Sequence, residues 1–169
     1  DPICGSVFFG ESSAVRFWPS ATSIDVAWSG FVDPESSVAS FAIALGSAAS
    51  GGSLVFPLTD VGTNSSVTLS ASLRHGTDYI ATVVATNGAG LLCSARSLPV
   101  RVDLTPASAG SLQCNSGRRV QSSNDGVQCD WSGFTEDVSE IAEYEISVSF
   151  ANSSQLVPFE SAGVATTAT

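Results

Sequence analysis

One pattern occurs twice in this chain, and the recurrence limits what it can fold into. Trp28, Ser29, Gly30 and Phe31 return as Trp131, Ser132, Gly133 and Phe134, 103 residues later and without a gap. The register holds beyond the tetrapeptide. Ser36/Ser139, Ala39/Ala142 and Ile43/Ile146 are identical, and Val38/Ile141 and Phe41/Tyr144 are conservative swaps. Further on, Phe56, Val61 and Thr63 meet Phe159, Val164 and Thr166. A period this long marks two copies of one domain rather than a solenoid of short units. Position 169 aligns with position 66, so the second copy is expected to be incomplete. The expected division is a full domain over 1–104 and the N-terminal part of a second over 105–169, in a chain that is a piece of a longer protein.

Inside each copy the apolar residues alternate. In 23–28, Ile24, Val26 and Trp28 point one way and Asp25 and Ala27 the other, the period of a half-buried strand. After a lead-in over 1–10, broken by Pro2 and Gly5, strands are expected at 15–19, 23–28, 38–45, 53–57, 67–73, 79–86 and 91–102. Pro19 closes the first or marks it as an edge strand. Asp33, Pro34, Glu35 and Ser36 compose a turn, 46–52 a small-residue loop, and Asn87 and Gly88 a hairpin turn. Segment 102–110 reads as a short linker. The second copy repeats the scheme at 111–114, 127–131, 141–150 and 155–159, with Asn124, Asp125 and Gly126 as a turn. No helical period is convincing. The fold class is therefore all-β: two tandem seven-strand antiparallel sandwiches, the second truncated. Trp131, Phe134, Tyr144, Ile146, Val148 and Phe159 would then lack a facing sheet, unless strands outside 105–169 or a partner supply one.

Charge narrows the partners. There are 16 acids against 6 arginines and no lysine, for a formal net charge of −10. The split at Leu104 gives −4 and −6. Phosphate binding needs clustered cations, so nucleic acid is excluded as a partner; the lone pair Arg118 and Arg119 reads as a solvated turn. No apolar run approaches the ~20 residues that span a bilayer. Neither a signal peptide nor an initiator Met is present, as in a processed or internal piece.

Catalytic chemistry has little to work with. His75, the single histidine, falls in a solvated turn before Tyr79, without the partners a general base or activated nucleophile needs. Gly51, Gly52, Gly88 and Gly90 are turn glycines. Glu136, Asp137, Glu140, Glu143 and Glu145 offer the oxygen ligands a hard cation takes. Yet Glu143 and Glu145 alternate with Tyr144 and Ile146, which makes them the wet face of a strand. The expectation is a non-enzyme without metal or cofactor.

Cys4, Cys93, Cys114 and Cys129 are too widely spaced for zinc. Four cysteines allow three disulfide pairings. Two sequons accompany them, at Asn64 and Asn152. Together they point to an oxidising, extracellular or cell-surface setting with N-linked glycans.

Leu73, Gly76, Thr77, Tyr79, Ala81, Val83, Ala85 and Asn87 resemble the penultimate strand of a fibronectin type III domain. Trp28 matches that family's buried second-strand Trp, and Phe41, with Tyr144 in the second copy, its third-strand aromatic. The resemblance covers about 5–103, and 110–169 as a truncated copy. The cysteines and the Trp-Ser-Gly-Phe extension depart from the pattern. The resemblance implies that Leu73 and Tyr79 form a corner, with the Tyr hydroxyl bonded to nearby backbone. It places the chain's start at the same pole as the turn before Cys93, which implies Cys4–Cys93. It sets Cys114 and Cys129 on neighbouring antiparallel strands, which implies Cys114–Cys129. It also turns Tyr79, Ala81, Val83 and Ala85 inward and Ile80, Val84, Ala42 and Ala44 outward. That apolar outer face is a contact surface for another domain or chain, or else ordinary exposed apolar surface, or a face that a glycan shields. In the second copy Glu143 and Glu145 are expected in place of Ala42 and Ala44.

Three functions fit. The first is a structural or adhesion segment of an extracellular glycoprotein; the Ala, Ser, Gly and Val bias resembles green-algal surface and ciliary-filament glycoproteins. The second is a receptor ectodomain that uses loops around Asp33, Gly62 and Asn87. The third is an accessory module of a secreted carbohydrate-active enzyme, for which Trp18 is the one candidate exposed aromatic.

Overall fold

The computed structural model describes residues 1–48, 53–117, 126–150 and 155–168. Among them regular structure is all β, apart from one 3-10 turn at Asn115–Gly117. The chain divides into two compact units, Asp1–Leu104 and Thr105–Thr169.

The strands of unit 1 are β1 (Ser6–Phe9), β2 (Phe17–Trp18), β3 (Ser23–Ser29), β4 (Val38–Ser47), β5 (Leu54–Gly62), β6 (Ser66–Ser70), β7 (Asp78–Asn87), β8 (Leu92–Arg96) and β9 (Val100–Val102). They form two sheets. One has the order β1-β3-β6; the other runs β2-β9-β7-β4-β5, with β8 also on β7. All pairings are antiparallel except β2 with β9. One core joins the sheets. Val7, Phe9, Ile24, Val26, Trp28 and Leu69 come from the first, and Ile43, Leu45, Tyr79, Ala81, Val83, Ala85, Val100 and Val102 from the second. On β7 burial alternates at every residue. Each large apolar side chain so buried contributes ~1.5–3 kcal/mol.

Several boundaries differ from the sequence reading. The lead-in contains a true strand: Val7 and Phe9 alternate inward, and β1 pairs with β3 from Ser6↔Ser29 to Phe9↔Val26. The expected strand at 15–19 shrinks to Phe17 and Trp18, which lie parallel to β9. The return strand expected over 91–102 is two strands. Ser97 breaks it, exchanging its own amide and hydroxyl with the backbone of Ala81, and Pro99 has no amide to donate. β5 runs on to Gly62 through register shifts against β4.

Unit 2 contains β10 (Ser111–Cys114), β11 (Cys129–Ser132), β12 (Tyr144–Ser149), β13 (Gln155–Gly163) and β14 (Thr167–Ala168). β10, β11 and β14 make one sheet, and β12 and β13 another. The turn read at Asn124 and Asp125 lies outside the described residues. β14, not anticipated, pairs with β11 at Cys129↔Ala168.

The repeat reaches further back than the sequence alignment showed. Isolated bridges join Ile3 to Val32 and Ser108 to Thr135. Gly5 and Gly110 sit in the same crevice: a Cβ on either would collide with the carbonyl of Ser29 or Ser132 and the ring of Phe31 or Phe134. So the first strand repeats at a spacing of 105 rather than 103, which hid it. With that correction, Cys114↔Cys129 in unit 2 occupies the place of Phe9↔Val26 in unit 1.

Candidate interaction surfaces

Two disulfides pin the units internally. Cys4–Cys93 links the chain ahead of β1 to β8 on the other sheet, 89 residues away, with Cα atoms 5.6 Å apart. Cys114–Cys129 crosses the paired strands β10 and β11, with Cα atoms 4.0 Å apart. A cross-strand cystine thus stands where unit 1 uses a Phe–Val core contact.

The loops suggested as a receptor face are tied down in part. Asp33 is buried; its Oδ2 accepts from Asn87 Nδ2 at 3.0 Å, and its Oδ1 accepts the amides of Glu35 and Ser36. Asn87 is buried too, and its Oδ1 accepts the amides of Ala89 and Leu91. One carboxylate therefore joins the turn after Phe31 to the β7–β8 turn. The Asn87 amide, followed by the Ser36 amide, holds the Asp33 carboxyl down to about 2, from an ordinary value near 3.8. Gly88 packs so closely there that a Cβ would lie 2.7 Å from the Ser36 carbonyl oxygen. Sequence reading found both turns but not the bond between them, because residues 54 apart carry no local signal of contact.

Other predicted positions fall as follows. The Tyr79 hydroxyl accepts the Arg74 amide at 3.0 Å, and Leu73 is buried beside it. His75 is not simply solvated: its Nδ1 accepts the Leu104 amide at 3.0 Å, with Asp103 3.6 Å away. Trp18 is half-buried against the core and donates Nε1–H to the Ser23 carbonyl at 2.7 Å, which removes it as an exposed platform. Asn64 is exposed in the β5–β6 connection, where the chain passes between sheets. Asn152 lies outside the described residues. No group of three or more His, Cys, Asp or Glu among the described residues could hold a metal ion. Among the described residues no helix is long and apolar enough to cross a membrane.

The outer face of the larger sheet of unit 1 is built from rows of paired residues. Ala42 pairs with Val84 and Asp60, Ala44 with Thr82, and Gly46 with Ile80 and Leu54. On the far side Val84 meets Ser94, and Thr82 meets Arg96. Ile80, Val84 and Ala42 are partly exposed. Ala44, expected to be exposed with them, points outward by alternation yet is buried, because a methyl group mid-sheet lies below its longer neighbours. Leu54 and Leu58 on β5 and Leu92 on β8 are 58, 55 and 66% exposed. Sequence reading missed these three by looking only at β4 and β7. The face also carries Asp60 and Arg96, and at its β9 end the ion pair of Asp78 and Arg101.

Unit 2 presents a different surface. A cleft of about 710 Å³ opens over Leu112, Trp131, Phe134, Tyr144, Ile146 and Phe159. Leu112 and Phe159 are 59 and 63% exposed. Their counterparts Val7 and Phe56 in unit 1 are respectively buried and packed on the core. In unit 1, β4 lies between β5 and β7; among the described residues its counterpart β12 pairs only with β13. The cleft is therefore uncovered core. Trp28 and Trp131 hold equivalent places, and neither buried Nε1–H finds an acceptor among the described residues. No protein-family model matches this sequence, and no curated protein matches it either.

Proposed function

We propose that this chain is a non-catalytic structural or adhesion segment of an extracellular glycoprotein, built from tandem fibronectin type III-like units. The observation that carries the reading is the pair of disulfides, each closed within one β unit. Such bonds persist in oxidising compartments and stiffen small β domains. The corner at Tyr79 and the sheet orders β1-β3-β6 and β5-β4-β7-β8 support the domain type. The exposed sequon at Asn64 supports glycosylation, and the apolar outer face of unit 1 supports lateral contact with other protein domains. The experiment is antibody labelling of intact against permeabilised cells that express the protein. Labelling of intact cells is expected; labelling only after permeabilisation would refute the assignment.

A further inference from the structure

The outer face of unit 1 has opposite charges on opposite flanks. Arg96 on β8 stands directly across from Thr82, and Asp60 on β5 directly across from Ala42. Both are exposed, and neither has an ionic partner among the described residues. Asp60 Oδ1 accepts the Gly62 amide, which leaves Oδ2 for a cation. Between the flanks lie Thr82, Val84, Ala42 and Ala44, a flat field of small and β-branched side chains. Three strand spacings, ~14 Å, separate the positive flank from the negative one.

We infer that this face binds the same face of a second copy of the chain, about a two-fold axis running along the strands between β4 and β7. The inference rests on the reading of this face as a contact surface. Rotation about that axis lays β8 of each copy over β5 of the other. Arg96 and Asp60 lie two residues, ~7 Å, apart along the strands, so each Arg96 side chain reaches along β5 of the other copy to Asp60, and the isologous pair gains two identical ion pairs. A two-fold axis across the strands would set like flank on like flank, so charge selects the first arrangement. It keeps the strands of the two sheets roughly aligned, as in face-packed sheets. Ala42, Ala44 and Gly46 let the sheets approach closely, while Leu54, Leu58, Ile80 and Leu92 close the margin. Unit 2 is unsuited to the same pairing: Glu143 and Glu145, which align with Ser40 and Ala42 rather than with Ala42 and Ala44, are exposed and would bring four carboxylates into the middle of the pair.

The area sets the strength. Four strands at ~4.8 Å and seven residues at ~3.4 Å span ~450 Å² per copy. A total near ~900 Å² is below the ~1,200 Å² of stable complexes, so the dimer is weak and concentration-dependent. Many copies held close on one surface would populate it by effective concentration.

Sedimentation equilibrium of the whole chain over a concentration series tests this. A reversible monomer–dimer equilibrium is expected for the wild type. Arg96→Asp and Asp60→Arg should each raise Kd at least ~tenfold, because each sets like charges together at two places. The combined variant, with the charges exchanged, should return to within ~threefold of wild type, which a merely structural defect would not do. Ile80→Asp with Val84→Asp should leave only monomer at an unchanged melting temperature. A wild type that stays monomeric throughout overturns the inference. So does a single charge reversal without effect, or a double exchange no better than its singles. A monomeric protein still displayed on intact cells would sink the self-pairing alone; a dimer confined inside cells would sink the extracellular reading alone.

Discussion

Replacing Tyr79 by Phe separates two contributions that lie in one side chain. The ring is 2% exposed at the centre of the core, and the substitution leaves it in place. What disappears is the hydroxyl that accepts the Arg74 amide at 3.0 Å. A net hydrogen bond contributes ~1 kcal/mol, and a donor left unsatisfied costs ~1–3 kcal/mol according to its access to water. Arg74 is exposed, so water reaches its amide in part, and the loss should be ~1–2 kcal/mol. Removing the ring as well, in Tyr79→Ala, should cost ~3–5 kcal/mol, because a cavity opens in the core cluster to which Tyr79 belongs. Unit 1 is followed by native-state amide exchange at Ala81 and Val83, whose side chains are fully buried on β7. If Tyr79→Phe exchanges at the wild-type rate, the corner bond contributes nothing. If it costs as much as Tyr79→Ala, the hydroxyl rather than the ring governs the site. Either result would refute the accounting.

Non-reducing peptide mapping should show Cys4–Cys93 and Cys114–Cys129 and no cross-unit pair; by loop length alone, opening the 89-residue separation costs ~4.6 kcal/mol and the 15-residue one ~3 kcal/mol. The depressed Asp33 carboxyl makes unit 1 sensitive to acid: its contribution is complete above about 3.8, the ordinary value, and is lost as pH falls toward about 2. An acid melt of Asp33→Asn should lack that component, and an unchanged profile would discard the assignment. Peptide-N-glycosidase should change the mass of the peptide carrying exposed Asn64 when the protein is made in a secretory host.

Much of the fold was legible because it rests on local periodicity. Alternation of Ile24, Val26 and Trp28, and of Tyr79 through Ala85, is a property of the chain that burial then reproduces. The cystine pairs followed from a resemblance in topology. The failures share a cause. β1 was read as a lead-in because four residues carry too little period to stand out beside Pro2 and Gly5. The break at Ser97 is invisible locally, since its partner Ala81 lies 16 residues away. The exposed leucines of β5 and β8 join Ile80 and Val84 on one face only through strand order.

By itself, then, the sequence determined that the chain is β, that it contains one pattern twice, and that its two units differ in outer-face charge. These follow from side-chain chemistry and a two-residue period. Only the tertiary structure decided that Asp33 is bonded to Asn87, that a cystine takes the place of Phe9 and Val26, and that Asp60 and Arg96 flank one apolar field. Each of these depends on which strand lies beside which. That order is set by long-range burial of both sheets on one core, and no local stretch of residues encodes it.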